Sequence, residues 1–348
     1  MTSQIDIQEV LRTVVEGQEL SQDQARAAMD HIMKGEATEA QIGALAIGLR
    51  MKGETTNEIA GFARAMRDHA VHVDIDADNT PLLDTCGTGG DHSNTFNIST
   101  TATFVIAAAG VRIAKHGNRA ASSRCGSADV LEALGVRIEL TPAEVEACVE
   151  NVGVGFMYAP AYHPAMRFVG PARKQMGVRT IFNMLGPLTN PAGAKHQLIG
   201  VGIPHIARQL AEVLQVLGSQ HAVLVHGEEG LDEVGVVGTT RVTDFTANDG
   251  EIRTYEVNPE LFGLEKATLA DIVGGDAAEN KRITLSVLDG ETGPRRTVTL
   301  LNAGAGLYAA DAAPSFAEGV LLAADMIDSG KALAKLEELI AFTQEMQA

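Results

Sequence analysis

Three segments of the chain carry residues that could do phosphate chemistry within one βαβ-sized stretch. They are Asp84-Thr85-Cys86-Gly87-Thr88-Gly89-Gly90-Asp91, then Asn97-Ile98-Ser99-Thr100, then Lys115-His116-Gly117-Asn118-Arg119. Glycines let a loop bring bare N–H groups toward a ligand, and the start of a helix attracts anions. Read alone, Gly87 to Gly90 fits a ligand-free strand-to-helix turn, and Asn97, Ser99 and Thr100 fit helix caps. Read together they form a phosphate cradle, with Lys115, Arg119 and Arg124 adding positive charge. Asp91 would be repelled by phosphates there unless it served ribose hydroxyls or metal-bound water.

A second candidate is Asp232-Glu233, in Gly230-Leu231-Asp232-Glu233-Val234 after an apolar run ending at His226. The pair alone fits a solvated turn equally well. In a polyphosphate-binding protein it gains a role, because magnesium bridges one or two carboxylates to phosphate oxygens and keeps much of its water. A third runs from Tyr162-His163-Pro164 through Arg173 to Arg179-Thr180-Ile181-Phe182-Asn183-Met184-Leu185-Gly186-Pro187-Leu188-Thr189-Asn190-Pro191. Arg173 could receive a carboxylate bidentately while His163 and its apolar flanks frame a flat ring. Spacing alone leaves that reading level with a basic helix followed by a proline-rich exit loop.

These residues need elements to hold them. Apolar positions at helical spacing predict helices over Ile7–Val15, Ala25–Met33, Ala40–Met51 and Ile59–His69, with starts at Ser21 and Thr56 and stops at Gly17, Gly35 and Gly53. The polar segment 74–81 marks a boundary. Beyond it, strands are expected at Leu82–Cys86, Val111–Ala114, Val136–Leu140, Gly155–Tyr158, Leu198–Ile203 and Ala222–His226. Helices are expected at Thr100–Ala109, Ala128–Leu134, Ala143–Asn151 and Ile206–Leu217. Thr141-Pro142-Ala143-Glu144 is a cap followed by proline at the first helical position. Strand-like pieces after about residue 239, Arg253–Val257 among them, precede helices from Ala277, including Phe316–Ser329 and Lys331–Met346. The pattern predicts an α/β fold, its large domain built on a mostly parallel sheet flanked by helices, with a small all-helical domain. The expected division is 1–73 for the helical domain, joined by about 164–190, and 74–348 for the α/β domain.

With 348 residues, 45% of them hydrophobic and 21% charged, the chain has the composition of a folded protein. A formal charge of -18 argues against a nonspecific nucleic-acid binder and requires any anionic ligand to be held locally. Residues 1–10 lack the apolar centre of a signal peptide, and no run has the length of a membrane span. Cys86, Cys125 and Cys148 lack metal-ligand spacing, so reduced thiols and a cytoplasmic protein are expected.

In this order the segments resemble the anthranilate phosphoribosyltransferases, enzymes of tryptophan biosynthesis with the nucleoside-phosphorylase type of fold. The likeness covers nearly the whole chain: GTGGD at 87–91, NIST at 97–100, KHGNR at 115–119, GSADVLEALG at 126–135, HP at 163, RTIFNMLGPLTNP at 179–191 and LDE at 231–233. It implies that Gly87, Gly90, Asp91, Thr95, Asn97, Ile98, Ser99, Thr100, Lys115, Ser123 and Ser127 contact phosphoribosyl pyrophosphate. It implies that Ser99, Asp232 and Glu233 hold Mg2+, and that Gly87, Asn118, His163, Arg173 and Gly186 contact anthranilate. The chain departs from the family at Ala121-Ser122-Ser123-Arg124-Cys125, where Val-Ser-Gly-Lys-Ser is common, so that Ser123 would crowd the phosphates.

The implied reaction joins the anthranilate nitrogen to ribose C1 and expels pyrophosphate. Its barrier is an oxocarbenium-like state rather than a proton transfer. Lys115, magnesium and the loop amides would then stabilise the leaving group, while Asn118 and Arg173 place the amine. A homodimer formed through the small helical domain is the implied assembly, without nucleic acid or membrane. The competing readings are a pyrimidine nucleoside phosphorylase and a non-enzymatic nucleic-acid-binding relative.

Overall fold

A computed structural model describes residues 6–77, 80–91, 93–120 and 123–346. Met1–Ile5 of the leader reading, Asp78 and Asn79 of the boundary segment, and Ala121 and Ser122 of the departing segment lie outside the described residues.

The chain begins with helices α1 (Ile7–Val15), α2 (Gln22–Met33), α3 (Glu39–Lys52) and α4 (Thr56–Asp68). Their starts are set by side chains. Ser21 with Gln24, Thr38 with Gln41 and Thr55 with Glu58 each form a capping box, satisfying N–H groups that the helix leaves open. The cap of α4 is thus Thr55, one residue before the Thr56 read from sequence. Glu58 is fully buried and accepts from the Leu20 and Thr55 N–H groups and from Lys52 Nζ. Gly61 lets α4 lie close on α2, since a Cβ there would stand 2.4 Å from the Gln22 carbonyl oxygen.

The α/β part follows as β1 (Leu82–Gly87), α5 (Ile98–Ala108), β2 (Arg112–Gly117), α6 (Ser127–Leu134), α7 (Pro142–Val152), β3 (Val154–Tyr158), α8 (Ala159–Tyr162), α9 (Gly170–Met176), β4 (His196–Gly200), α10 (Ala207–Val216), β5 (His221–Gly227), β6 (Thr240–Thr246) and β7 (Arg253–Val257). Four helices complete it: α11 (Ala277–Leu288), α12 (Pro294–Ala309), α13 (Phe316–Asp328) and α14 (Lys331–Glu345). The sheet runs β3-β2-β1-β4-β5-β6-β7, parallel from β3 to β5 and antiparallel at β6 and β7. This is an α/β fold with a small helical domain ahead of a larger, mostly parallel sheet.

Val136–Leu140 is not a strand. Its alternation arises because Val136, Ile138 and Leu140 face the core while Arg137 turns to α14, bonding Thr343 through both its N–H and its side chain. A period of two records which side is buried, and a segment lying on helices satisfies it without pairing. The strand-like sequence after residue 239 forms β6, which pairs antiparallel with β5 from His221↔Thr246 to Gly227↔Thr240.

One core cluster covers one face of the sheet together with the C-terminal helices. A second joins bundle residues such as Phe62 and Leu49 to Val169, Ile181, Phe182 and Leu188, and continues through α10 to Ile199 and Leu224 of the sheet. The order of connections reverses between β1 and β4, the place where open α/β sheets leave a crevice at the strand ends. There Gly87 pairs with Gly200.

Candidate functional site

The Asp232 loop crosses these strand ends, and glycine makes room for it. A Cβ on Gly87 would stand 2.6 Å from Asp232 Oδ2, and one on Gly200 would stand 1.6 Å from the Asp232 carbonyl oxygen. Gly89 and Gly90 have φ of +65° and +78°, which favours glycine. The Gly89 N–H donates to Asp232 Oδ2 at 2.9 Å, while the Gly90 and Asp91 N–H groups have no acceptor among the described residues. Two backbone donors are therefore open at the mouth of the sheet. Ser93 Oγ donates to Asp91, and Thr95 bridges to Val273.

Helix α5 starts beside this loop. The Ser99 N–H, in its first turn, donates to Glu233 Oε1 at 3.2 Å, so the paired carboxylates reach both the glycine loop and a helix N-terminus. Asn97 does not cap with its side chain; its Nδ2 donates to the Cys125 carbonyl and its Oδ1 accepts from Asn280. Ile98 and Thr100 are buried, and the Ile98 N–H is bonded to the Phe96 carbonyl.

Lys115 is 3% exposed, and its ammonium donates to the Thr85 carbonyl and hydroxyl. Burial lowers its pKa, opposed by the carboxylates of Asp84 and Glu233. Burial raises both Asp232 and Glu233 above the usual carboxylate range, with Asp91 adding to the first shift and Asp232 to the second. A site with this excess of negative charge calls for a cation. Among the described residues no three His, Cys, Asp or Glu side chains form a complete metal cage.

In the basic loop, the Asn118 carbonyl accepts from Ser127 Oγ and from the Ala128 N–H at the start of α6. Arg119 pairs with Asp129 and Glu132, so its charge is spent locally. Ser123 and Arg124 are exposed. Arg173 on α9 is partly buried, and its guanidinium makes no hydrogen bond or ion pair with the described residues; burial lowers its pKa. His163 is buried with its ring 4.9 Å from that of His116, and burial keeps both imidazoles neutral at pH 7. Gly186 opens onto free space. The structure thus gathers Gly87 to Asp91, Ser99, Asp232 and Glu233 at one point, and the His163 to Gly186 segment joins it through Arg179, which donates to the Gly89 carbonyl.

Sequence reading overlooked two supports. Asn302 of α12 is fully buried and binds both the N–H and the carbonyl of Val234, next to the carboxylate pair. Asn280 braces Asn97. Asn302 interrupts the apolar run of α12, a signal that could have found it, whereas Asn280 sits between Glu279 and Lys281 and carries no such signal.

Residues 8–70 match the glycosyl transferase family's helical bundle domain and residues 79–333 its a/b domain. The chain belongs to that glycosyl transferase family. It is 54% identical over 340 residues to the anthranilate phosphoribosyltransferase of Symbiobacterium thermophilum, covering 97% of this chain and 98% of the relative. It is 51% identical over 339 residues to that of Chromobacterium violaceum, covering 97% and 98%. The crystal structure of anthranilate phosphoribosyltransferase from Thermus thermophilus superposes with a TM-score of 0.91 at 43% identity, covering 98% of this chain and all of that one. The Saccharomyces cerevisiae enzyme in complex with PRPP and Mg gives 0.87 at 28% identity, covering 97% and 98%. Within its family the chain therefore stands among the anthranilate phosphoribosyltransferases. The phosphorylase and nucleic-acid readings gain no support from these matches.

Proposed function

We propose that the crevice between β1 and β4 carries out the family's reaction, transfer of the phosphoribosyl group of phosphoribosyl pyrophosphate to the amine of anthranilate. The observation that carries this assignment is the pair of open amides at Gly90 and Asp91 beside the Asp232–Glu233 carboxylates and the start of α5. The C1–N bond forms from the nitrogen lone pair as the C1–oxygen bond breaks, the electron pair leaves with pyrophosphate, and the amine proton passes to solvent. An arylamine is unprotonated at neutral pH, so the site needs no strong base.

In this reading the loop amides and the N-terminal turn of α5, with Ser99 and Thr100, receive the donor's phosphates. Ser99, Asp232 and Glu233 hold magnesium, with Asp91 nearby. When bound, magnesium supplies positive charge where negative charge grows on the departing diphosphate. Lys115 acts from beneath as a buried counter-charge to Asp84 and Glu233. Arg173 receives the anthranilate carboxylate, and Asn118, His163 and Gly186 line the ring slot. The helical unit comprises 1–73 with 164–190, supported by the shared core of Val169, Ile181 and Phe182 with the bundle. Val15 and Met51, 76% and 83% exposed on α1 and α3, are available to a second copy of the chain. No helix of the described residues is long and apolar enough to cross a membrane, and we assign the enzyme to the cytoplasm.

The test is formation of phosphoribosyl anthranilate from the two purified substrates with and without magnesium. Turnover that persists undiminished after chelation overturns the metal assignment. Phosphorolysis of thymidine without transfer to anthranilate overturns the reaction.

A further inference from the structure

Arg179 ties the glycine loop to the helical bundle and has none of the roles assigned above. Its Nη1 donates to the Gly89 carbonyl at 2.8 Å. A Cβ on Gly90 would stand 2.0 Å from the same nitrogen, so the guanidinium fills the space that any side chain at position 90 would need. Nη2 is buried and unpartnered among the described residues, and no carboxylate there pairs with this arginine. At its other end, the Arg179 carbonyl accepts from Arg50 Nη1 of α3. Ile181 and Phe182, two and three residues on, are buried in the core shared with the bundle.

The Gly89 carbonyl and the Gly90 N–H belong to one planar trans peptide and point in opposite directions. A guanidinium on the carbonyl therefore fixes where the N–H points, and by polarising the peptide makes that N–H a stronger donor. We infer that Arg179 is a positioning residue for the phosphoribosyl donor, aiming the Gly90 amide at its diphosphate and carrying the position of the bundle to the phosphate loop. It acts through the peptide and not by touching the donor. Arg50 is the second link, holding the Arg179 backbone against α3.

This inference rests on the glycine loop being the donor's phosphate site, so the experiment includes a variant that reads that assignment separately. Steady-state kinetics with phosphoribosyl pyrophosphate and anthranilate are measured for Arg179→Ala, Arg179→Lys, Arg50→Ala and Asp232→Asn, with thermal unfolding alongside. Losing a charge-assisted hydrogen bond corresponds to roughly a tenfold to hundredfold change, so Arg179→Ala should raise KM for the donor by that factor and leave KM for anthranilate within about twofold. Arg179→Lys should recover part of the loss. Arg50→Ala should shift the same constant less, and the double variant Arg50→Ala with Arg179→Ala should add nothing to Arg179→Ala alone. A lowered unfolding temperature with an unchanged donor KM, or equal increases for both substrates, would overturn the inference. If Arg179→Ala does not fold, Arg179→Lys and Arg50→Ala decide by the same constant. A donor KM raised by Asp232→Asn but not by any arginine variant defeats this inference alone; no effect from any of the four defeats the loop assignment.

Discussion

At the scale of single residues the site is a balance of unfavourable charge. Burial raises the pKa of Asp232 and of Glu233, and the neighbouring carboxylates of Asp91 and Asp232 add to the first and second shift respectively, so the ionised pair costs stability when no cation is bound. Asp232→Asn with Glu233→Gln should therefore raise the unfolding temperature in magnesium-free buffer while abolishing magnesium-dependent turnover. A stable variant with undiminished turnover would remove the pair from the mechanism. Arg173 presents a partly buried guanidinium without a partner among the described residues, ready for a carboxylate. Arg173→Ala should raise KM for anthranilate by roughly tenfold to a hundredfold, the worth of a charge-assisted bond, with a smaller effect on the donor. Equal effects on both substrates would count against that assignment.

At the scale of elements, helix α12 holds the carboxylate loop. Asn302 binds the Val234 N–H at 2.9 Å and its carbonyl at 3.0 Å, replacing for that residue the strand partner it lacks. Close seating of α12 on α13 depends on Gly304 and Gly319, since a Cβ on Gly319 would stand 2.4 Å from the Gly304 carbonyl oxygen. Asn302→Leu leaves two buried backbone groups unpaired, at roughly 1–3 kcal/mol each. Calorimetry should register that loss, and activity should fall further than the unfolded fraction explains, because Asp232 and Glu233 lose their anchor. Activity falling only in step with the unfolded fraction would make Asn302 a structural residue alone.

At the scale of the molecule, the sheet has a second charged centre at the opposite ends of β4 and β5. His221 is buried; burial opposes its charged form, but the carboxylates of Asp244 and Asp311 outweigh that and raise its pKa to about 9. Asp311 is held below the usual carboxylate range by His196 and His221. The raised histidine contributes fully below its unfolded value near 6.5, and its contribution fades as pH climbs toward 9; the lowered Asp311 contributes above its unfolded value near 3.8 and fades as pH falls below it. Unfolding free energy should thus decline between pH 6.5 and 9 by an amount on the order of 2–3 kcal/mol. Asp311→Asn should shrink that decline, and an identical pH profile in wild type and variant would refute it.

Much of this was legible in the chain itself. The helix starts at Ser21 and Thr141, the stops at Gly17, Gly35 and Gly53, and the glycine loop after β1 depend on hydrogen bonds and backbone torsions spanning a few residues. Local sequence fixes such features because the interacting groups are neighbours along the chain. Tertiary structure alone decided that Val136–Leu140 lies on helices, that Asn97 spends its amide on Cys125 and Asn280, and that Lys115 faces Thr85 from within the core. It also decided that Asp232 crosses the ends of β1 and β4, 143 residues from the amide it receives. The chemistry needs charges and amides within hydrogen-bond reach, and that reach is set by strand order and packing, which no window of sequence contains.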